Sequence, residues 1–363
     1  MLQPFDFDRL QRVGLTPALA ERARDSAEGS DQRLDLLRVS AVHRETVQLH
    51  DGVRESPARQ VPRLARQLLE DGTMLAVGDW VLASRDASGA RWVQRRVPPL
   101  SHLARRDGDG SRHAVVSNVD WALLVMGLDD DFNLRRLERY LTLVYGSGIV
   151  PIVVLTKADI AAADPQLRDE RLAALGKRIP GTVQTVVVDA TEPASAERFA
   201  AVACGGQTLV LLGSSGAGKS TLTNTLIGSA VQDTGAVREH DSRGMHTTTA
   251  RSLHLLPGGA CVIDTPGLRT LRPDIDEATL AASFGDVETL AGQCRFRDCR
   301  HGDEPGCAVR EGVDPDRLRN FHKLLRETRR DSLTWVERRQ QLAAWKSRGK
   351  DTRMRMKLKR GDG

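Results

Sequence analysis

Gly213-Ser214-Ser215-Gly216-Ala217-Gly218-Lys219-Ser220-Thr221 constrains this chain more than any other stretch. It fits G-x-x-x-x-G-K-[ST]. It follows the apolar run Thr208–Leu212, which reads as a buried strand, and leads into Leu222–Ile227, which reads as the start of a helix. Strand, glycine-rich turn and helix form the setting in which that motif works. Glycine lets the backbone curl tightly enough to aim successive N–H groups at one point, and a helix N-terminus adds partial positive charge there. Residues 213–221 are therefore expected to cradle the phosphates of a nucleoside triphosphate. Lys219 would reach the β- and γ-phosphates, and the Ser220 hydroxyl would ligate Mg²⁺.

A chain of 363 residues has length for two or three domains and a real core. No apolar run approaches the ~20 residues of a membrane helix. The start, Met1–Asp8, lacks the basic and apolar regions of a signal peptide, so a cytoplasmic location is expected. The five cysteines, three of them between Cys294 and Cys307, suit metal binding in a reducing compartment better than a disulfide framework. Net charge is +5, an excess that matters only where it is concentrated. Aromatic residues make up 4% of the chain, which argues against extensive stacking on nucleic-acid bases.

Taken in order, residues 1–34 read as a helical arm that packs on its neighbour through Leu10, Val13, Leu15, Leu19 and Ala20. Residues 35–106 change period. Leu36–Val42, Glu45–His50, Val81–Ala83 and Arg91–Val97 look like short strands between polar turns, the pattern of a small all-β, OB-like barrel. Arginines from Arg38 to Arg112 are scattered through it. They fit either a nucleic-acid-binding barrel or a merely solvated surface. After the polar stretch 107–111, residues 112–272 alternate strand and helix, the pattern of an α/β domain with a parallel sheet.

Two further motifs belong with the phosphate loop. Asp264-Thr265-Pro266-Gly267 fits D-x-x-G after the apolar Cys261-Val262-Ile263. There Asp264 would hold Mg²⁺ through a water and the Gly267 amide would meet the γ-phosphate. Thr156-Lys157-Ala158-Asp159 is similar to the guanine-reading N-K-x-D, in which the carboxylate accepts from two donors that adenine lacks. Thr156 in place of Asn is expected to lose one polar contact, to the base or to the phosphate loop. The order is unusual: the guanine-reading segment precedes Gly213 instead of following Gly267. The parts of a GTP-binding domain are present, but the chain enters it at a different point, so the domain is circularly permuted.

Beyond it, Cys294, Cys299, His301 and Cys307 form C-x₄-C-x-H-x₅-C, the ligand set of a closed tetrahedral Cys₃His zinc site with no open position. Residues 273–337 are expected to be a mostly α zinc-binding domain. Residues 338–363, with ten basic residues against Asp351 and Asp362, form a basic tail. Cys204 and Cys261 read as small buried side chains.

Motif order and zinc spacing together resemble the ribosome small-subunit-dependent GTPase A family of bacteria. So do the runs Ser117–Asp120, Asp131–Tyr140 and Gly244-Met245-His246-Thr247-Thr248-Thr249. The resemblance implies an OB fold for the barrel, GTP as ligand, and slow hydrolysis stimulated by the small (30S) ribosomal subunit. It also implies a part in late maturation of that subunit, with rRNA contacts and no membrane, by a monomer. Leu268 stands where many small GTPases carry the Gln that orients the attacking water. His246 is therefore the candidate catalytic group, with Lys219, and Thr248 the candidate further Mg²⁺ ligand. The competing class is a P-loop kinase or regulatory NTPase whose flanking domains bind protein.

Overall fold

The computed structural model describes residues 2–106, 112–229, 251–265 and 272–331. His246, Thr248, Gly267 and the tail 338–363 lie outside them. Two compact units divide the described residues. One runs to Arg105 and from Arg112 to Pro273; the other holds Arg106 and Asp274 onward.

The first unit opens on two short helices, α1 (Phe7–Gln11) and α2 (Pro17–Ala27), each started by a side-chain cap. Asp6 accepts from the Arg9 amide and Thr16 from the Leu19 amide. Next come β1 (Asp35–Val42), β2 (Val47–His50), β3 (Glu55–Gln60), α3 (Pro62–Glu70), β4 (Trp80–Arg85) and β5 (Arg91–Arg96). β1, β2 and β3 pair antiparallel in turn, β3 runs parallel to β5, β5 is antiparallel to β4, and β4 returns to β1 through Leu36↔Leu82. That closes a five-stranded barrel in the order 1-2-3-5-4, as expected of an OB-like fold. Leu37, Val39, Leu49, Val81 and Val93 fill it. α3 plugs it with Leu64 and Leu68, one helical turn apart. Sequence periodicity did not separate α3 from its surroundings, because only those two of its residues are buried.

β6 (His102–Arg106) and β7 (Arg112–Ser117) follow. The α/β part then comprises β8 (Trp121–Gly127), α4 (Leu134–Gly146), β9 (Val150–Thr156), α5 (Ala158–Ala162), α6 (Pro165–Gly176), β10 (Gln184–Val187), a 3₁₀ turn (Pro193–Phe199), β11 (Thr208–Leu212), α7 (Lys219–Ile227), β12 (Ser252–Leu255) and β13 (Cys261–Asp264). Its strands lie in the order β10-β9-β8-β11-β13-β12, all parallel except β12. Both faces of the sheet are covered. Along β8, Leu123 and Val125 pack into one core and Ala122, Leu124 and Met126 into the other, which is why these strands read as unbroken apolar runs. The helical arm belongs to the second of these cores through Leu10, Val13, Leu15 and Leu19. β12 also bridges to β1 of the barrel at Ala41↔Ser252, so one sheet runs through both parts. The short β14 (Arg272–Pro273) lies beside β6, which lies beside β7.

The second unit packs α8 (Glu277–Ser283), α9 (Gly285–Ala291), α10 (Ala308–Gly312) and α11 (Pro315–Asp331) around Leu280, Phe284, Val287, Val309, Val313 and Leu324. Arg317 lies over the Phe284 ring at 4.5 Å and grips Asp286 with two bonds of 2.7 and 2.8 Å.

Two sequence expectations need correction. Cys204 is exposed, because it lies in the turn before β11 and not in an element; Cys261 is buried as expected. Arg38, counted with the surface arginines, is fully buried. Its guanidinium donates to Gly78 O at 3.3 Å, to Asn118 O and the Thr208 hydroxyl at 2.9 Å, and to Val13 O. Burial pushes its pKa down, while Cys261, Asp120 and Asp79 act in the opposite direction.

Removing that guanidinium would strand Val13 O, Asn118 O and the Thr208 hydroxyl away from water, each costing ~1–3 kcal/mol, while Gly78 O keeps the Asn118 side-chain amide at 3.0 Å. Arg38→Ala should lower the free energy of unfolding by about 3–5 kcal/mol in urea titrations. An unchanged midpoint would mean those acceptors find other partners.

Candidate functional site

β11 delivers the phosphate-loop residues to the C-terminal edge of the sheet. Gly213 has no room for a side chain, because a Cβ there would run into Val125 O on β8. Gly218 caps α7 with φ +89°, and a Cβ there would press the Thr156 hydroxyl at 3.2 Å. Ser215 and Gly216 are exposed, Ser214 and Ser220 half-buried, Ala217 buried. Lys219 is buried and donates to Ser214 O at 2.6 Å, bending back over its own loop. Burial pulls its pKa down, and the Asp264 and Asp131 carboxylates oppose this.

Asp264 ends β13 on the same edge. Burial pushes its carboxyl pKa up, and Lys219 and His254 counter it. Its Oδ1 is buried with no hydrogen-bond partner. A buried acceptor left in this state is costly unless something else satisfies it. A hydrated cation beside the Ser220 hydroxyl would do so, so these donors fit Mg²⁺. Thr265, next along, donates to Leu211 O at 2.7 Å and ties the segment to the phosphate-loop strand.

Thr156 ends β9 beside Gly127 of β8. Its hydroxyl donates to Ala217 O at 2.7 Å. The contact to the phosphate loop that sequence reasoning expected to be at risk is therefore made by the shorter side chain. Lys157 follows at φ +61° and pairs with Asp129 Oδ2 at 2.6 Å; Asp159 is exposed in the first turn of α5. Opposite, Thr225 of α7 donates to Ala190 O at 2.6 Å and Ser195 to Asp189 O at 2.5 Å, which fixes the turn after β10. Residues 156–159, 213–221 and 264 thus share one edge.

Sequence reasoning assigned no role to the loop between β8 and α4, and this loop joins the two halves of the site. Asp129 takes Lys157 on one oxygen and the Asp131 amide on the other, at 3.2 Å. Asp131 Oδ1 accepts from the Ser214 hydroxyl at 2.5 Å and from Arg136 at 2.6 Å, and its Oδ2 from the Gly127 amide at 3.2 Å. Asn133 caps α4 by accepting from the Arg136 amide at 3.0 Å. The available signal was positional: three aspartates, Asp129–Asp131, directly after a buried strand.

In the second unit Cys294, Cys299, His301 and Cys307 bring their ligand atoms within 4.8 Å of one another. Cys294 follows α9, Cys307 caps α10, and His301 turns back at φ +58°. Glu304 shapes that turn by accepting from the amides of Arg300 at 3.1 Å and Gly302 at 2.7 Å. The Val309 amide draws the Cys294 thiol below its ordinary range, which favours a thiolate. Three sulfurs and an imidazole so placed can hold a metal ion, and the donor set is that of zinc. Among the described residues no helix is long and apolar enough to cross a membrane.

Residues 97–273 match the model of the RsgA GTPase family. The small ribosomal subunit biogenesis GTPase RsgA 2 of Vibrio vulnificus is 42% identical over 276 residues, 74% of this chain and 76% of that protein. The small ribosomal subunit biogenesis GTPase RsgA of Xanthomonas campestris is 45% identical over 275 residues, 74% of this chain and 73% of that one. In fold, the chain is similar to the crystal structure of YjeQ from Thermotoga maritima, with a TM-score of 0.57 and 23% identity over 81% of this chain and 98% of that one. It is likewise similar to YloQ, described as a circularly permuted GTPase, with a TM-score of 0.56 and 20% identity over 83% and 97%.

Thr156→Val keeps the shape of Thr156 and deletes its bond to the phosphate loop. GDP should bind about fivefold more weakly by calorimetry, the equivalent of one neutral hydrogen bond of about 1 kcal/mol. Equal affinity would show that the hydroxyl does not shape the loop. At the second site, purified chain should carry one zinc per molecule by metal analysis. Cys299→Ala with Cys307→Ala should lose it and unfold residues 274–331 at lower temperature, since binding free energy at such a site is folding free energy.

Proposed function

The chain belongs to the RsgA GTPase family, and on that premise we propose that it hydrolyses GTP to GDP and phosphate on the small ribosomal subunit, as a factor in late maturation of that subunit. The observation that carries the reading is the meeting of Thr156–Asp159, the 213–221 loop and Asp264 on one sheet edge. A base-reading turn, a phosphate cradle and a carboxylate for a metal are what a guanine nucleotide requires.

Asp159 accepts from N1–H and the 2-amino group of guanine, and Lys157 and Ala158 line the base. Gly213–Thr221 wrap the phosphates, Lys219 leaves Ser214 O for the β- and γ-oxygens, and the Gly267 amide meets the γ-phosphate. Ser220, Asp264 and Thr248 would hold Mg²⁺, which would supply neutralisation of the phosphate charge. Leu268 cannot orient a water, so intrinsic turnover is slow. His246 supplies that function when the subunit docks. Cys294, Cys299, His301 and Cys307 hold one structural zinc. Basic surfaces of the barrel and of residues 338–363 contact rRNA through phosphates, and affinity for the subunit falls with salt. The chain acts as a cytoplasmic monomer. The kinase reading is not favoured, since the relatives at 42–45% identity carry GTPase names.

Turnover of GTP and ATP with and without purified small subunits tests the proposal, alongside co-sedimentation at rising salt. GTP should be cleaved in preference to ATP, with stimulation of at least about tenfold by subunits that is lost in His246→Ala while binding persists. Equal use of ATP would overturn the guanine reading. Full stimulation of His246→Ala would assign the missing group to the ribosome.

A further inference from the structure

Two cations stand over the phosphate loop, and both rest on protein oxygens belonging to, or bonded to, Ser214. Lys219 donates to the Ser214 carbonyl at 2.6 Å. Arg136 donates to Asp131 Oδ1 at 2.6 Å, and the same oxygen accepts the Ser214 hydroxyl at 2.5 Å. One carboxylate oxygen thus separates the Arg136 guanidinium from the phosphate loop. Lys219 also feels both Asp131 and Arg136 electrostatically, which places all three in one field.

We propose that Arg136 is a further catalytic residue of GTP hydrolysis: a guanidinium supplied by the chain itself, held on Asp131 and transferred to the γ-phosphate when GTP binds. This rests on the hydrolysis proposed above. A triphosphate brings several anionic oxygens to the loop and offers the planar guanidinium a two-pronged, multiply charged partner, in place of the Asp131 carboxylate and main-chain oxygens that one of its nitrogens now shares. Asp131 is not left unpaired by the exchange, because it keeps the Ser214 hydroxyl and the Gly127 amide. The tether is local: Asn133 fixes the first turn of α4, and Arg171 holds the loop by donating to Leu128 O at 2.6 Å and lying over Phe132. Arg136 would leave both Asp131 oxygens by rotating its side chain while α4 stays in place.

In the step it serves, water oxygen bonds to the γ-phosphorus and the bond from that phosphorus to the β–γ bridging oxygen breaks. The electron pair stays on the GDP oxygen, and the water proton ends on the released phosphate. Negative charge grows on the bridging and γ-oxygens as this happens, and a guanidinium there lowers the barrier. GDP lacks the γ-phosphate, so Arg136 stays on Asp131 in the product state.

The test is single-turnover GTP cleavage by the full chain, together with binding of GDP and of a non-hydrolysable GTP analogue, for Arg136→Ala, Arg136→Lys and Asp131→Asn. Arg136→Ala should slow cleavage at least about thirtyfold and weaken the analogue about tenfold while GDP affinity stays within about twofold. Arg136→Lys, which keeps the charge without the fork, should recover analogue binding but not the rate. Asp131→Asn should raise the preference for analogue over GDP by about threefold, because the parking site is weaker. If Arg136→Ala cleaves at the normal rate, or Arg136→Lys weakens GDP and analogue equally, Arg136 only anchors α4 and the inference falls. Failure of the unaltered chain to cleave GTP would instead remove the reading on which it rests.

Discussion

Arg38 is the interaction on which the first unit depends. A fully buried guanidinium is costly to desolvate, and the chain meets that cost by surrounding it with oxygens from four places. Val13 belongs to the helical arm, Gly78 to the turn before β4 and Asn118 to the turn before β8. Thr208 is the first residue of the strand that carries the phosphate loop. None of the four could move far without stranding the charge. Thr208 is fixed from a second side, since its amide donates to Asp120 at 2.8 Å. The base of β11 is thus pinned at the end remote from the nucleotide, and the loop at its other end inherits a fixed origin.

At that other end the arrangement is carried by loops, and side chains do the joining. Thr156 reaches Ala217, Asp131 reaches Ser214, Asp129 reaches Lys157 and Thr265 reaches Leu211. Each links segments far apart in sequence that the strand order makes neighbours. Circular permutation leaves this edge intact, because the contacts depend on which strand tips are adjacent and not on which comes first in the chain. What permutation changes is the exit: β13, with Asp264 at its tip, is the last long strand before the second unit begins.

The parts legible in sequence were those fixed by local rules. β8, β9 and β11 announced themselves because both faces of a parallel sheet are buried, and the phosphate loop because Gly213 and Gly218 answer steric demands that only glycine meets. The spacing of Cys294, Cys299, His301 and Cys307 sufficed to forecast their convergence. Where partners come from distant elements, local rules fall silent. Arg38 looked like its exposed neighbours because nothing within ten residues of it supplies the acceptors Val13, Gly78, Asn118 and Thr208. Arg136 and Asp131 sat inside a run noticed for its likeness, yet their shared oxygen with Ser214 depends on β8 and β11 lying side by side. The retained loop contact of Thr156 was likewise invisible, since it turns on how closely Gly218 lets α7 approach β9.

The single pairing Ala41↔Ser252 makes the barrel and the α/β sheet one hydrogen-bonded fabric. β12 is the seam: one side is stitched to β13, whose tip is Asp264, and the other to the barrel wall. A tug on the barrel along β1 is therefore passed to β12 through Ala41↔Ser252 and to the base of β11 through the bond from Arg38 to Thr208. Whatever grips the barrel is tied, through Ser252, to Asp264 at the tip of β13, because Ser252 pairs with Ala41 on one side and with Asp264 on the other.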